Sequence, residues 1–314
     1  MKIGVFLNYT GLGSNLLHLS YCHQIAKKYG PVNIITICKG LKDLLDQDPL
    51  IKEVIVFDKN KKTILDIFNL TSFLKKMKLD KIFIYYPSQR IFWAAKLSGI
   101  QEIKYYRNIS KKNLHLVNTA KKFTIENLNL EQCPTETTFF ISEEQKKIGK
   151  KIVNVSKYNI ILGIGSSGPT TKWSTKNYIE LINQLNKKDD FYFYLLCGQN
   201  EKNISEEIYK FISKKNCKSL HSFSIKDLLP ILSLSNMYIG NDSFGHHITS
   251  QLNIPSIILL FDTPRAYSDY SVNQYRILPE GVSIDQINHD SVYNANTINV
   301  GKVIQKVFDL KKLT

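Results

Sequence analysis

Residues 237–261 read MYIGNDSFGHHITSQLNIPSIILLF. Met237–Ile239 is a short apolar run, Gly240 lets the backbone turn, and Phe244–Leu252 carries helical spacing. Asn253-Ile254-Pro255 breaks that helix before a second apolar run, Ser256–Phe261. Two fully apolar runs with a helix between them, and no hairpin turn, predict a parallel strand–helix–strand unit. Outward from this unit the same alternation repeats. Upstream lie strands at Tyr158–Leu162 and Phe191–Leu196 and helices at Thr175–Asn186, Glu201–Ser213 and Ile225–Leu234. Downstream, a last helix is expected at Val300–Leu310.

The N-terminal half has its own series. Strands are expected at Lys2–Leu7, Val32–Cys38, Glu53–Phe57, Lys81–Tyr86 and Glu102–Tyr105. Helices are expected at Asn15–Tyr29 with Ser14 as N-cap, then Leu41–Gln47, Ile64–Met77 and Arg90–Leu97. Residues 108–157 are polar and break the rhythm; they read as a lobe edge and linker with one helix at Glu143–Lys151. The expected fold is therefore α/β, with two Rossmann-like parallel-sheet domains, 1–150 and 151–314, facing across a cleft. The last helix is expected to pack back on the first domain. Ligand sites in such domains lie at the carboxyl ends of the strands.

A chain of 314 residues suits two domains. No apolar run reaches the ~18–20 residues of a membrane span, and Ile3–Leu7 is too short for a signal-peptide core. Five cysteines, without a CxxC pair, suit reduced thiols in the cytosol. The net charge of +15 favours anionic partners: a nucleotide diphosphate, a phosphorylated glycolipid or an anionic bilayer. A nucleic-acid partner is not expected, since no recognition motif accompanies the charge.

Three glycine-bearing loops could carry chemistry. In Asn241–His247, Ser243 and the amides of Phe244 and Gly245 open a helix, and a helix N-terminus attracts anions. The alternative is a simple N-cap at Asp242 or Ser243. Asp242 would avoid phosphate, since like charges repel, and accept hydrogen bonds from sugar hydroxyls. His246 and His247 lie about 100° apart on the helix, so one is expected to face the cleft and the other a neighbouring element. The second loop, Gly165-Ser166-Ser167-Gly168-Pro169-Thr170-Thr171-Lys172-Trp173, offers small residues, hydroxyls and one cation, but is not a Walker A loop. Lys172 reads as an anion contact or an exposed helix-start lysine. The first loop, Gly11-Leu12-Gly13-Ser14, is half a dinucleotide fingerprint with Leu16 in place of the third glycine. Glu201, after a strand end, reads as a ribose ligand or a helix-start carboxylate.

Taken together these loops resemble glycosyltransferase family 9, the ADP-heptose:lipopolysaccharide heptosyltransferase group. NDSFGHHITSQLNIP (241–255) is similar to the family's asparagine-aspartate-serine/threonine-glycine…histidine motif. GIGSSGPTTKWSTKNYIELINQL (163–185) is similar to its glycine-serine…lysine…tryptophan segment. The 197–201 and 223–225 segments, and Lys81 to Gly99 around Arg90, also fit. The resemblance implies the GT-B fold and an inverting, metal-independent transfer from a nucleotide-diphosphate sugar, such as ADP-heptose, to a lipid-linked or glycan acceptor. It implies no metal and no cofactor beyond that co-substrate. It further implies a cytoplasmic enzyme at the inner face of the inner membrane, in peripheral contact with anionic lipid.

By the same resemblance, Lys172 and Asp242 contact the donor sugar or its phosphate, and Ser243, Phe244 and Gly245 hold the diphosphate. Ser166, Ser167 and Thr171 line the donor site, Glu201 takes the ribose, Phe223 the base pocket, and His247 stands at the family histidine's place. Gly13, Ser14 and Arg90 fall on the acceptor side. Three positions depart from the family pattern. Ser14 stands where the family has its catalytic aspartate, Lys172 directly precedes Trp173, and Phe244 replaces a glycine. A serine cannot remove a proton unaided. His18, one helical turn on, is the alternative base if it faces the cleft; otherwise it is a partly buried helix residue.

Two rival readings remain. A relative that binds a nucleotide sugar without transferring it would explain Ser14. A nicotinamide oxidoreductase would need an acidic residue after the second strand, and Ile37-Cys38-Lys39 offers none.

Overall fold

The computed structural model describes residues 1–58, 65–106, 115–166, 172–289 and 291–312. The chain divides into two compact units, Met1–Phe140 and Ile141–Thr314.

The first unit is built on the strands β1 (Ile3–Leu7), β2 (Val32–Thr36), β3 (Ile51–Val56), β4 (Lys81–Ile84) and β5 (Glu102–Tyr105), in the order β3-β2-β1-β4-β5. Its helices are α1 (Leu12–Leu16), α2 (Leu19–Tyr29), α3 (Gly40–Leu44), α4 (Leu65–Met77), α5 (Gln89–Leu97) and α6 (Leu116–Leu128). The second unit has β6 (Tyr158–Gly163), β7 (Phe191–Leu196), β8 (Cys217–Ser219), β9 (Met237–Asn241), β10 (Ser256–Leu259) and β11 (Gln274–Ile277), in the order β11-β10-β9-β6-β7-β8. Its helices are α7 (Glu143–Ile152), α8 (Thr175–Asn186), α9 (Lys202–Tyr209), α10 (Ile225–Ser233), α11 (Phe244–Gln251) and α12 (Val300–Lys311). Every strand pairing among the described residues is parallel.

β1, β2 and β4 are buried along their whole length, as are β9 and β10. That is why they read as unbroken apolar runs: helices cover both faces of such a sheet. Strand order reverses between β1 and β4 in one unit and between β6 and β9 in the other. Loops leaving those carboxyl ends are the ones free to shape a ligand site.

Several expectations need correction. The units part at Phe140 rather than after residue 150, because α7 belongs to the second unit: Gly149 lies so close to α10 that a Cβ would stand 2.8 Å from the Pro230 carbonyl oxygen. Helix α12 puts Val300, Val303, Ile304, Val307 and Leu310 into the core of the second unit. The stretch expected as linker holds α6, which packs against α2 and buries Leu116, Val117, Ala120, Phe123 and Leu128, with Phe123 edge-on to Tyr85 and Tyr106. The helix expected over Asn15–Tyr29 is two helices. Gly11 stands at the N-cap of α1, so Ser14 lies inside a helix and caps nothing. The five cysteines are buried free thiols, and among the described residues no helix is long and apolar enough to cross a membrane.

Candidate functional site

At the β6–β9 reversal the two backbones nearly touch. Gly163 pairs with Gly240, and a Cβ on Gly240 would lie 2.5 Å from the Gly163 carbonyl oxygen. A Cβ on Gly163 would collide with the Tyr238 hydroxyl, and one on Gly245 would stand 2.8 Å from the Tyr238 ring. The ring of Tyr238 therefore occupies space that only these glycines leave. Its hydroxyl bonds the Asn241 carbonyl oxygen at 2.9 Å and the Ser243 hydroxyl at 3.0 Å.

Ser243 is the N-cap residue of α11, in extended backbone, yet its side chain makes no capping hydrogen bond. The simple-cap reading of Ser243 thus does not hold. The opening amides of α11, which have no intrahelical partner, point into the turn after β9 with the positive end of the helix dipole.

Asn241 ties this turn to the second loop. Its buried side chain accepts from the Trp173 backbone N–H at 3.0 Å and donates to the Ile164 carbonyl oxygen at 3.3 Å. Trp173 is a packing residue: it is buried, its indole N–H bonds the Ile298 carbonyl oxygen, and its ring meets Tyr178 edge-on. The chain is thereby fixed so that Lys172 leaves beside the β9 turn. The Lys172 ammonium donates to Glu201 Oε1 at 2.5 Å. Glu201 also accepts from the backbone N–H of Ser166 at 3.0 Å and of Gly198 at 3.3 Å. A Cβ on Gly165 would fall 2.0 Å from its Oε2, so the carboxylate rests on that glycine. Glu201, read as a ribose ligand or a helix-start carboxylate, here accepts at the start of the short helix Gln199–Glu201 and joins the loops after β6 and β7. Phe223, after β8, is half-buried, with the Lys218 ammonium 5.6 Å over its ring. Ser167 and Thr171 lie outside the described residues.

Asp242 and the two histidines form the most enclosed part of the site. His246 is fully buried and His247 nearly so. Both imidazoles turn Nε2 toward Asp242 Oδ1: His246 in direct contact, His247 at 3.8 Å. The expected split, one ring to the open side and one to a neighbour, does not occur. Asp242 lies just before the Ser243 N-cap and four residues from His246, so the first turn of α11 brings the two side chains together. Burial works against ionising Asp242, but the two histidines and hydrogen bonds from His246 and Thr263 outweigh it and hold its carboxyl below the ordinary value. His247 is pushed well below its ordinary value, first by burial and then by His246, against the pull of Asp242.

The three residues offer ligand atoms within 4.8 Å of one another, a spacing open to a metal ion. Hydrogen bonding argues against that use. Gln274 Oε1 accepts from the backbone N–H of Tyr270 and of Ser271, both at 3.2 Å, which fixes the amide with its NH₂ toward His246 Nδ1, 3.4 Å away. Nδ1 therefore accepts, Nε2 carries the proton, and a metal would have to displace it.

In the first unit, Asn15 pins the glycine loop, donating to the carbonyl oxygens of Tyr9 and Gly11 and accepting from Thr36. Gly13 and Ser14 are half-buried there. His18 is fully buried. Its Nδ1 donates to the Ser14 carbonyl oxygen at 2.7 Å, and its ring stacks on Tyr9 at 4.8 Å. Burial lowers its pKa to about 4, with the Ser14 bond opposing. This is the core-residue alternative and not an accessible base. Arg90 pairs with Asp66 at 3.5 Å beside a small pocket lined also by Asn8, Phe57 and Leu70.

A model of glycosyltransferase family 9 (heptosyltransferase) matches residues 85–279. The chain is 27% identical to lipopolysaccharide heptosyltransferase 1 of Campylobacter coli over 184 residues, 56% of this chain and 54% of that protein. The match thus spans about half the length of that relative. Among solved structures, E. coli ADP-heptose LPS heptosyltransferase II is similar with a TM-score of 0.76 at 16% identity, over 100% of both chains. The family 9 glycosyltransferase of Veillonella parvula DSM 2008 gives a TM-score of 0.77 at 17% identity, over 100% of this chain and 97% of that one. At such identities the likeness establishes the fold, two Rossmann-like parallel-sheet units of the GT-B kind. Since the family model runs from the end of β4 past β11, through the loops after β6, β7 and β9, the chain belongs to glycosyltransferase family 9.

Proposed function

We propose that this chain transfers a sugar, heptose or a close relative, from a nucleotide-diphosphate donor to a lipopolysaccharide-core or similar glycan acceptor. The observation that carries the reading is the β9–α11 turn, where helix amides without a side-chain cap open beside Asp242 and Asn241 ties in the backbone next to Lys172. Lys172, exchanging its Glu201 partner for the donor, would join the helix dipole in stabilising the departing diphosphate, which removes the need for a metal; the family resemblance adds a single displacement with inversion. Ser243, Phe244 and Gly245 hold the diphosphate through their amides, and Asp242 holds sugar hydroxyls. ADP-heptose is the first donor to try, since ADP-heptose names the similar E. coli enzyme. The first unit takes the acceptor through Gly13, Ser14 and Arg90. Transfer from a panel of nucleotide sugars should persist in EDTA; a strict need for Mg²⁺ or Mn²⁺ would overturn the charge account.

A second reading, donor binding without transfer, is favoured by the first loop. Residues 8–18 hold no carboxylate, and their histidine is buried. His18→Phe keeps the ring volume and should leave turnover within about two-fold, whereas loss of a general base costs about 10²-fold or more. Tight donor binding with no turnover in the unaltered protein would favour the second reading.

Peripheral contact with an anionic membrane belongs to the same proposal. It is supported by the outer sides of α4 and α5, which pack against each other and expose Phe68, Trp93 and Leu97 beside Lys75 and Lys96.

A further inference from the structure

We propose that His246 is a positioning residue that aims Asp242 at the donor sugar, as the last link of a hydrogen-bond relay anchored on the backbone before β11. This rests on reading the β9–α11 turn as a nucleotide-sugar site, and it concerns a residue beside the family histidine's place rather than at it.

The relay has a defined polarity. The backbone N–H groups of Tyr270 and Ser271 donate to Gln274 Oε1, each at 3.2 Å. The Gln274 amide nitrogen donates to His246 Nδ1 at 3.4 Å. His246 Nε2 then donates to Asp242 Oδ1. Each donor has one acceptor, and reversing any link would set two donors or two acceptors face to face. His246 has no exposed surface, so the ring cannot swing away without leaving its nitrogens unpaired. Its neighbour His247 is anchored separately, with Nδ1 2.8 Å from the Tyr270 hydroxyl. Both supports therefore return to the 270–274 segment. Thr263 bonds the same carboxylate.

The consequence is selective. Amides hold a diphosphate whether or not a sugar is attached. A carboxylate among phosphates is repelled, and contributes only when sugar hydroxyls are there to donate to it. Disturbing the aim of Asp242 should thus remove the extra affinity that the sugar gives and leave the affinity for the nucleotide diphosphate.

The test is calorimetric titration of the full chain with ADP and with ADP-heptose, or with the nucleotide pair that the donor panel selects. His246→Leu should weaken binding of the nucleotide sugar at least about ten-fold, the scale of a hydrogen bond to a charged group. Binding of the diphosphate should stay within about two-fold. His246→Gln keeps an N–H near the Nε2 position and should restore most of the sugar increment. His246→Asn keeps only the Gln274 end and should not. Equal loss for diphosphate and sugar, or equal behaviour of the Gln and Asn variants, would reduce His246 to a packing residue and overturn the proposal.

The relay is also testable without any donor. Imidazole ¹⁵N shifts should report the Nε2–H tautomer of His246, and Gln274→Leu should weaken that preference. An Nδ1–H tautomer would overturn the relay even if both nucleotides bind. Nucleotides failing to bind the unaltered protein, with the tautomer as expected, would overturn the donor-site reading and the sugar-aiming role with it.

Discussion

The imidazole of His18 lies in the core of the first unit, stacked on Tyr9 and edge-on to Tyr21 and Tyr85. A single helix from Asn15 would have carried the ring around with a constant phase. Instead α1 ends at Leu16, the His18 N–H turns back to the Asn15 carbonyl oxygen, and φ −101° with ψ −4° sends the imidazole into the tyrosines. The pKa gives a signed prediction. The unfolded chain takes up a proton near 6.5, the folded one only near 4, so between these values the unfolded state holds more protons. Stability from this group is intact above pH 6.5 and falls by about 3 kcal/mol as the pH drops toward 4. Buried His247 adds to the acid loss with the same sign. His18→Phe should flatten the acid side of the stability curve, measured as the urea midpoint against pH. An unchanged slope would mean that His18 titrates normally in the folded protein.

At the scale of elements, the sequence made the covered strands plain and the edges obscure. β9 and β10 are apolar throughout because both sheet faces are buried. β8, Cys-Lys-Ser, and β11, Gln-Tyr-Arg-Ile, are short edge strands with one side partly solvated, so no apolar run marks them. The relay behind Asp242 depends on the approach to β11, and for that reason could not be read from the quoted motif alone. α6 did carry helical spacing, at Leu116, Val117, Ala120, Phe123 and Leu128, but polar flanks hid it. The glycines at the β6–β9 reversal make a ranked prediction. Gly245→Ala meets the end of Leu196, which can shift, and the edge of the fixed Tyr238 ring, from which the helix must back away, so it should cost about 1–3 kcal/mol and weaken donor binding by moving the first turn of α11. Gly240→Ala meets the backbone of Gly163 between 2.5 and 2.7 Å, which cannot shift without parting the strands. It should cost more than Gly245→Ala in denaturant titration, and the reverse order would contradict the packing described here.

For the whole molecule, the net charge was legible but its address was not. The first unit carries 21 lysines and arginines against 11 aspartates and glutamates, a net +10; the second carries 21 against 16, a net +5. The proposed contact with anionic lipid is therefore expected on the first unit. The α4–α5 layer gives it a face. On α5, Trp93 and Leu97 stand opposite the buried Ile91, Ala94 and Ala95, and on α4 Phe68 stands opposite the buried Leu70 and Leu74. The Lys96 ammonium lies 5.1 Å over the Trp93 ring, the pairing of aromatic and cation that suits a lipid–water boundary. The charges and the rings should separate in a vesicle-sedimentation assay with phosphatidylglycerol mixed into phosphatidylcholine. Reversing Lys75, Lys76 and Lys96 to Glu removes about 1 kcal/mol of attraction per lysine and adds repulsion from the new carboxylates, so binding at low salt should fall by more than about 100-fold and lose most of its salt dependence. Changing Phe68 and Trp93 to Ser should weaken binding at every salt concentration, because apolar insertion is not screened. Lys214→Glu with Lys215→Glu, on the second unit, should leave binding within about two-fold; an equal loss there would mean that diffuse charge, and not this face, meets the membrane.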